Sequence, residues 1–246
     1  MISLNLNGVL YLDIETAPQY KTYDELPERL KPLWDKRFSK MPEAIVNPDF
    51  NSRDNYYLCG LHGEFAKIVC ISVGMIIGER KLKMTSFYGM DEKKLLTEFI
   101  AILNAASTKD KSVKAIQRLC AHNGKEFDFP VLCKRMIINC LEIPDQLQIA
   151  GKKPWDINHI DTKELWKFGS FKDSVSLDLL CAVLGIESPK DGITGADVAK
   201  AYWEENRLED IKDYCQKDVV ALVNVCMKMT GSEIITDENI VYSDAS

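Results

Sequence analysis

The stretch Leu10-Tyr11-Leu12-Asp13-Ile14-Glu15-Thr16 sets two carboxylates two residues apart in an otherwise apolar run. On a β-strand successive side chains point to opposite faces. Leu10, Leu12 and Ile14 then face a core, while Tyr11, Asp13 and Glu15 share the other side. Two like charges this close repel, and burying them unpaired costs roughly several kcal/mol. Either both acids are solvated at a strand end, or a cation lies between them. Hard divalent cations take carboxylate oxygens, so Asp13 and Glu15 form a candidate metal site. Further along, Asp128 closes the run Asn123-Gly124-Lys125-Glu126-Phe127-Asp128, just before Phe129-Pro130 and an apolar-periodic segment. There it is either a helix N-cap or one more carboxylate of a site. Tyr214 and Asp218 are four apart in a long periodic segment and so share one helix face. The pair is either a half-buried ring beside a solvated acid, or a second contribution to the same chemistry.

The totals narrow the classes. A chain of 246 residues can bury the core of a single α/β domain or of two small ones, and 46% hydrophobic with 28% charged residues is ordinary globular composition. No apolar run reaches the length of a membrane span, and residues 1–7 lack the basic start of a secretory signal. The 8 cysteines include no Cys-x-x-Cys pair and fall mostly in apolar segments, as in Ile68-Val69-Cys70-Ile71. That usage suits reduced, buried thiols in a cytoplasmic protein rather than a disulfide framework. With only His62, His122 and His159 as imidazoles, zinc chemistry is a poor fit. A formal net charge of −6 argues against coating nucleic acid with a basic surface, but not against gripping one through bound cations.

Hydrophobic periodicity then gives the elements that must position these groups. After the first strand, Asp24 to Lys40 reads as a helix with Leu26, Leu30, Leu33, Trp34 and Phe38 on one stripe, its start kinked or delayed by Pro32. Residues 17–65 as a whole form an excursion from the main body. Lys67 to Ile77 and Lys81 to Tyr88 are strands joined at Gly78-Glu79-Arg80. Asp91 caps a helix to about Ala106, Lys109 to Lys114 is a solvated basic loop, and Ile116 to His122 is a strand. A helix follows Asp128, with Trp155 to Asp161 a strand beyond it. Ser176 to Leu184, Gly195 to Glu205 and Leu208 to Thr230 are helices, the last ended by Gly231. Residues 1–232 then make one domain, and 233–246 an acidic, flexible tail. The order of strands and helices implies an α/β fold with a mixed β-sheet flanked by helices.

Taken together, Asp-x-Glu on the first strand, Asn-x-x-x-Phe-Asp at a strand-to-helix junction and Tyr-x-x-x-Asp near the C-terminus resemble the DEDD superfamily of 3′-to-5′ exonucleases. The tyrosine is similar to that of the DEDDy branch. The likeness is nearest to the proofreading exonuclease domain of family B DNA polymerases and to stand-alone bacterial relatives. Lys67-Ile68-Val69-Cys70-Ile71-Ser72-Val73-Gly74 and His159-Ile160-Asp161-Thr162 extend it over about residues 9 to 230. The resemblance implies a ribonuclease H-like fold and two divalent metal ions, Mg²⁺ or Mn²⁺, on Asp13, Glu15, Asp128 and Asp218. It implies that Tyr214 orients the attacking water, and that Thr16, Asn123 and Phe127 lie near the terminal nucleotide. Asp161 is expected to be a strand-end residue rather than a ligand.

The expected activity is hydrolysis of phosphodiester bonds from the 3′ end of single-stranded DNA, releasing mononucleotides. An exoribonuclease of the ribonuclease D type shares the same motifs, since discrimination depends on contacts to the 2′-hydroxyl. A catalytically silent nucleic-acid-binding module on the same fold is the alternative of another class. Loss of a ligand would mark that state, and here the four acids and the tyrosine are all present.

Overall fold

The computed structural model describes the chain except residues 44, 48, 79, 106–115, 171–173, 189–191 and 244–246. The basic loop expected at Lys109 to Lys114, and the middle of the Gly78-Glu79-Arg80 turn, lie outside the described residues. Six strands form one mixed sheet: β1 (Val9–Pro18), β2 (Ala66–Ile77), β3 (Lys81–Tyr88), β4 (Arg118–Ala121), β5 (Ile160–Asp161) and β6 (Ile240–Ser243), in the order β5-β4-β1-β2-β3-β6. β1 pairs antiparallel with β2 and parallel with β4, so it is an interior strand. Helices cover both faces, and the α/β, ribonuclease H-like architecture expected from the sequence is the one observed.

Position in the sheet explains why β1 is more apolar than a simple alternation requires. Leu10, Leu12 and Ile14 join a core with α2 (Glu92–Ala105) and α3 (Asp128–Ile138). Val9 and Tyr11, on the other face, are buried too, against Leu222, Val223 and Cys226 of the long helix α7 (Leu208–Thr230). An interior strand covered on both sides reads as a nearly continuous hydrophobic run. The acids Asp13 and Glu15 interrupt that run on the α7 side. They stand opposite Ser72 and Cys70 of β2, and a bulge follows between Glu15 and Thr16.

The excursion between β1 and β2 carries the short helix α1 (Lys31–Phe38) and a small core of its own. Trp34 is fully buried there, with Tyr56, Leu58 and Phe65 around it and its indole N–H donated to the Ser52 carbonyl. The helix begins only at Lys31, because Pro32 suits a first turn and would break an interior one. Ahead of it, Tyr23–Glu25 makes a single 3₁₀ turn, and Leu33, expected on the inner stripe, is exposed. A buried ion pair holds the neck of the excursion. Arg135 of α3 grips Glu92 of α2 with two bonds of 2.8 and 2.6 Å and also donates to Gln19 Oε1 and the Gly63 carbonyl, both at 3.2 Å. Glu92 accepts from the backbone of Ile68 and from Asn139 as well.

Two further expectations are revised. The strand placed at Trp155 to Asp161 shrinks to Ile160–Asp161, because Pro154–Asp156 turns as a 3₁₀ segment. The C-terminal stretch is not simply a loose tail: β6 lies parallel to β3 from Leu82 to Thr85. Asn224 of α7 anchors the approach to it, accepting from the Ile235 N–H and donating to the Ile235 carbonyl. The last two helices before α7 are α5 (Leu177–Leu184), capped by Ser176, and the short α6 (Val198–Trp203); Thr162–Lys167 is α4.

Candidate active site

Three elements bring the acids together. β1 offers Asp13 and Glu15 on one face. α7 crosses that face and ends in the left-handed cap at Gly231. Its residues Tyr214, Cys215 and Asp218 turn toward β1. The Cys215 thiol lies 3.4 Å from Asp13 Oδ2, and Asp13, Glu15 and Cys215 offer ligand atoms within 4.8 Å of one another. Tyr214 packs beside Ala17, Val69 and Tyr202, and its hydroxyl donates to the Asp218 carboxylate.

The third element is the β4–α3 turn that delivers Asp128. Asn123 takes a left-handed backbone with φ 66°. Gly124 follows because a Cβ there would lie 2.5 Å from the Ala121 Cβ and 2.9 Å from the Phe129 ring. Asp161 then pins the turn. Its carboxylate accepts from the backbone N–H groups of Asn123 and Lys125 and, as N-cap of α4, from those of Lys163 and Glu164. With both oxygens so occupied, Asp161 is a strand-end anchor, as expected. Asp128 is the first helical residue of α3 rather than its cap, which is Phe127. The Asp128 carboxylate is bonded instead by its own N–H and that of Ile14 on β1.

The electrostatics of the cluster are uniform in sign. Burial raises the pKa of Asp13 well above the carboxylate range, and the charges of Asp218, Glu15 and Asp128 raise it further. Glu15 is raised by burial and by Asp218, Cys70 and Asp128. Burial pushes Asp128 up to about 7, against the opposing backbone hydrogen bonds. Tyr214 is raised by burial and by the charges of Asp218, Glu15 and Asp13, so at neutral pH its phenol keeps its proton. Among the described residues, no ion pair reaches Asp13, Glu15 or Asp128. Buried carboxylates that mutually oppose ionisation, with hard oxygen donors converging, fit a divalent cation well.

A stability prediction follows. In metal-free protein, a carboxylate with a raised folded pKa contributes stability that is complete below its ordinary value and lost as pH rises through the folded one. For Asp128 that window runs from 3.8 to about 7, and Asp13 and Glu15 act in the same direction. Melting in EDTA should therefore occur at lower temperature at pH 8 than at pH 5. Asp13→Asn should flatten that fall, and Mn²⁺ should restore the melting temperature at pH 8. A metal-free melting temperature that holds level across this range would mean the carboxylates do not oppose one another.

The remaining expected residues have definite places. Thr16 donates its hydroxyl to the Gly60 carbonyl, tying the end of the acid strand to the excursion. Asn123 opens the turn that leads to Asp128, and its side-chain oxygen accepts from the Lys163 ammonium. Phe127 packs half-buried on the core beneath α3. The histidines lie elsewhere: His159 bridges the Leu119 N–H and the Gln146 carbonyl, and His122 bridges Thr162 and the Val175 carbonyl. Cys215 is the residue that motif reasoning passed over. Its place next to Tyr214, on the buried side of α7, was the available signal.

Comparisons with known proteins give the family and the fold. Residues 61–239 match a family described as predicted 3′-5′ exonucleases related to the exonuclease domain of PolB. The match begins after β1, so it includes Asp128, Tyr214 and Asp218 but not Asp13 or Glu15. Among solved structures, the family B DNA polymerase of the hyperthermophilic archaeon Pyrobaculum calidifontis is similar in fold, with a TM-score of 0.50 and 13% identity. That similarity covers 90% of this chain but only 24% of the polymerase, so the chain spans about a quarter of the protein it resembles. No curated protein matches the sequence. With its family match covering most of its length, the chain belongs to the family of predicted 3′-5′ exonucleases related to the exonuclease domain of PolB.

Proposed function

We propose that the protein is a metal-dependent 3′-to-5′ exonuclease that removes mononucleotides from the 3′ ends of single-stranded DNA. The observation that carries this is the cluster itself: Asp13 and Glu15 bring ligand atoms within 4.8 Å of each other and of Cys215, close enough to Asp128 and Asp218 for those charges to oppose their ionisation. Such a cluster costs folding free energy unless cations complete it. Asp13, Glu15, Asp128 and Asp218 would hold two Mg²⁺ or Mn²⁺ ions. When bound, these supply Lewis-acid stabilisation of the attacking and leaving oxygens of an in-line displacement at phosphorus.

The chain's own residues do the rest. The β-strand fixes the spacing of Asp13 and Glu15, and α7 fixes Asp218 against them. Tyr214 keeps its proton, donates a hydrogen bond through it to Asp218, and holds the attacking water by accepting a hydrogen bond from it on the phenol oxygen. Thr16, Asn123 and Phe127 border the position of the terminal nucleotide. A polynucleotide end, rather than an interior bond, is the expected substrate.

The test is degradation of strands labelled at either end, with a circular single strand, an RNA strand and EDTA as comparisons. Loss of label from the 3′ end in Mg²⁺ or Mn²⁺, with the circle intact, is the expected result. Rapid cutting of the circle would make the protein an endonuclease, and preference for the RNA strand would favour the ribonuclease D-like alternative. Tyr214→Phe should retain Mn²⁺ binding and turn over more slowly, by roughly ten- to a few hundred-fold, the scale of one lost orienting or stabilising bond. Single-turnover rates and Mn²⁺ titrations measure both; full turnover in this variant would reduce Tyr214 to a packing residue.

A further inference from the structure

On the β4–β5 side of the acids lies a cavity of about 350 Å³ bordered by Asn123, Lys125, Asp161, Lys163 and Lys167. It lies beside the β4–α3 turn that carries Asp128. Asp161, which lines it, is close enough to Asp128 for its charge to raise the Asp128 pKa. Asn123, which lines it too, opens the turn that leads to Asp128.

The charges around the cavity are not balanced as a simple count suggests. Asp161 is committed to four backbone N–H groups. Glu164 pairs with Lys125 at 2.6 Å, and Glu126, the third acid of the lining, is exposed to solvent, which screens its charge. The half-buried Lys163 ammonium donates to a neutral acceptor, Asn123 Oδ1, at 3.2 Å. Lys167, one turn further along α4, has no carboxylate partner among the described residues. Two like charges four apart on one helix face repel. Here they face a concave space in a chain whose net charge is −6. An anion between them would offset that repulsion, and lysine ammonium groups bind phosphate as point charges.

Resting on the nuclease assignment above, we propose that this cavity is a phosphate subsite. In it Lys163 and Lys167 hold a backbone phosphate of the substrate strand other than the one being cleaved. The contact is electrostatic and blind to base identity. It keeps the strand in register while the terminal nucleotide is at the acids, and Lys163 couples it to Asn123 through their hydrogen bond.

Binding of a short labelled single-stranded oligodeoxynucleotide, followed by anisotropy in Ca²⁺ over a range of KCl concentrations, tests this. Each phosphate neutralised on a single strand contributes about 0.7 to the slope of log K against log salt. The double variant Lys163→Gln/Lys167→Gln gives up the one phosphate held there, so it should lose about 0.7 from that slope and bind about tenfold more weakly at low salt, equally for different sequences. Lys167→Gln alone, which disturbs no hydrogen bond, should lose about half as much slope. Melting temperatures should not change.

An unchanged slope in both variants overturns the subsite; if the wild type still degrades the strand, the nuclease assignment stands without it. A wild type that binds with the expected slopes yet cuts nothing keeps the subsite and removes the nuclease assignment. A wild type that neither binds nor cuts removes both. Deoxyadenosine monophosphate, titrated by calorimetry, separates the two sources of phosphate. If the variants lose affinity for the mononucleotide while the oligonucleotide slope is unaltered, the cavity holds the released product and the backbone assignment is wrong.

Discussion

Asp13→Ala and Asp218→Ala should each lower nuclease turnover by roughly three orders of magnitude or more while leaving the fold intact. The magnitude follows from what is removed. Deleting one preorganised group that stabilises transition-state charge typically costs about 10²–10³ in rate, and a residue that helps hold a cation removes more than one such group. The fold should survive because the repulsion that Asp13 and Asp218 add to metal-free protein outweighs the hydrogen bonds they accept from Cys215 and Tyr214. At pH 8 in EDTA the two variants should melt at or above the wild-type temperature, since a like charge is gone. In Mn²⁺ the order should reverse, because wild type gains stability by binding the ion and the variants do not. Turnover within tenfold of wild type in either variant would remove the acid cluster from the mechanism. A low melting temperature in EDTA would instead show that the acid supports the fold.

The largest stability effect is expected at the buried pair of Arg135 and Glu92. Both are nearly inaccessible, at 2% and 7%, so truncating one leaves the other charged without solvent. Glu92→Ala also strands the Ile68 N–H and the Asn139 amide. Breaking such a pair from one side typically costs about 3–5 kcal/mol, whereas replacing both partners with apolar residues of similar size is often neutral or better. For a chain of this size that corresponds to a fall in melting temperature of about 10 °C. Urea unfolding of Glu92→Ala, Arg135→Met and Glu92→Leu/Arg135→Met measures it. The double variant should recover most of what either single variant loses. A single-variant loss under about 1 kcal/mol would mean that water reaches the remaining charge.

Local pattern carried the parts of this structure that depend on local pattern. The two-residue alternation in Leu10 to Glu15 placed both acids on one face, and the four-residue spacing of Tyr214 and Asp218 placed them on one side of a helix whose limits, Leu208 and Thr230, follow from its periodicity and Gly231. Pro32 was visible as an obstacle to the first helix, and the helix starts beside it. Features fixed by distant partners were not legible. β6 is four residues long, and its partner in the sheet lies far back in the chain at Leu82–Thr85. The Cys215 thiol meets Asp13 only because α7 crosses β1 at that point. Asp161 looked like any strand-end acid until the four N–H groups converged on it. For Asp128, sequence left a cap or a site carboxylate; the structure removes the cap, since Phe127 takes that position.

The closed neck of the excursion bears on how such a chain can change over generations. β1 and β2 pair down to Pro18 opposite Ala66, the Gln19 N–H meets the Phe65 carbonyl, and Arg135 clasps Gln19 and Gly63 together. Seen from the sheet, residues 19–65 are only the loop of a long hairpin. Closing a longer loop is cheap, about 0.6 kcal/mol for each doubling of length. Insertions, deletions and new surface chemistry can therefore accumulate beyond the clasp while the register of Asp13 and Glu15 stays fixed. Relatives of this chain should differ most in length within that stretch, and hybrids that exchange it between relatives should keep their acids in place.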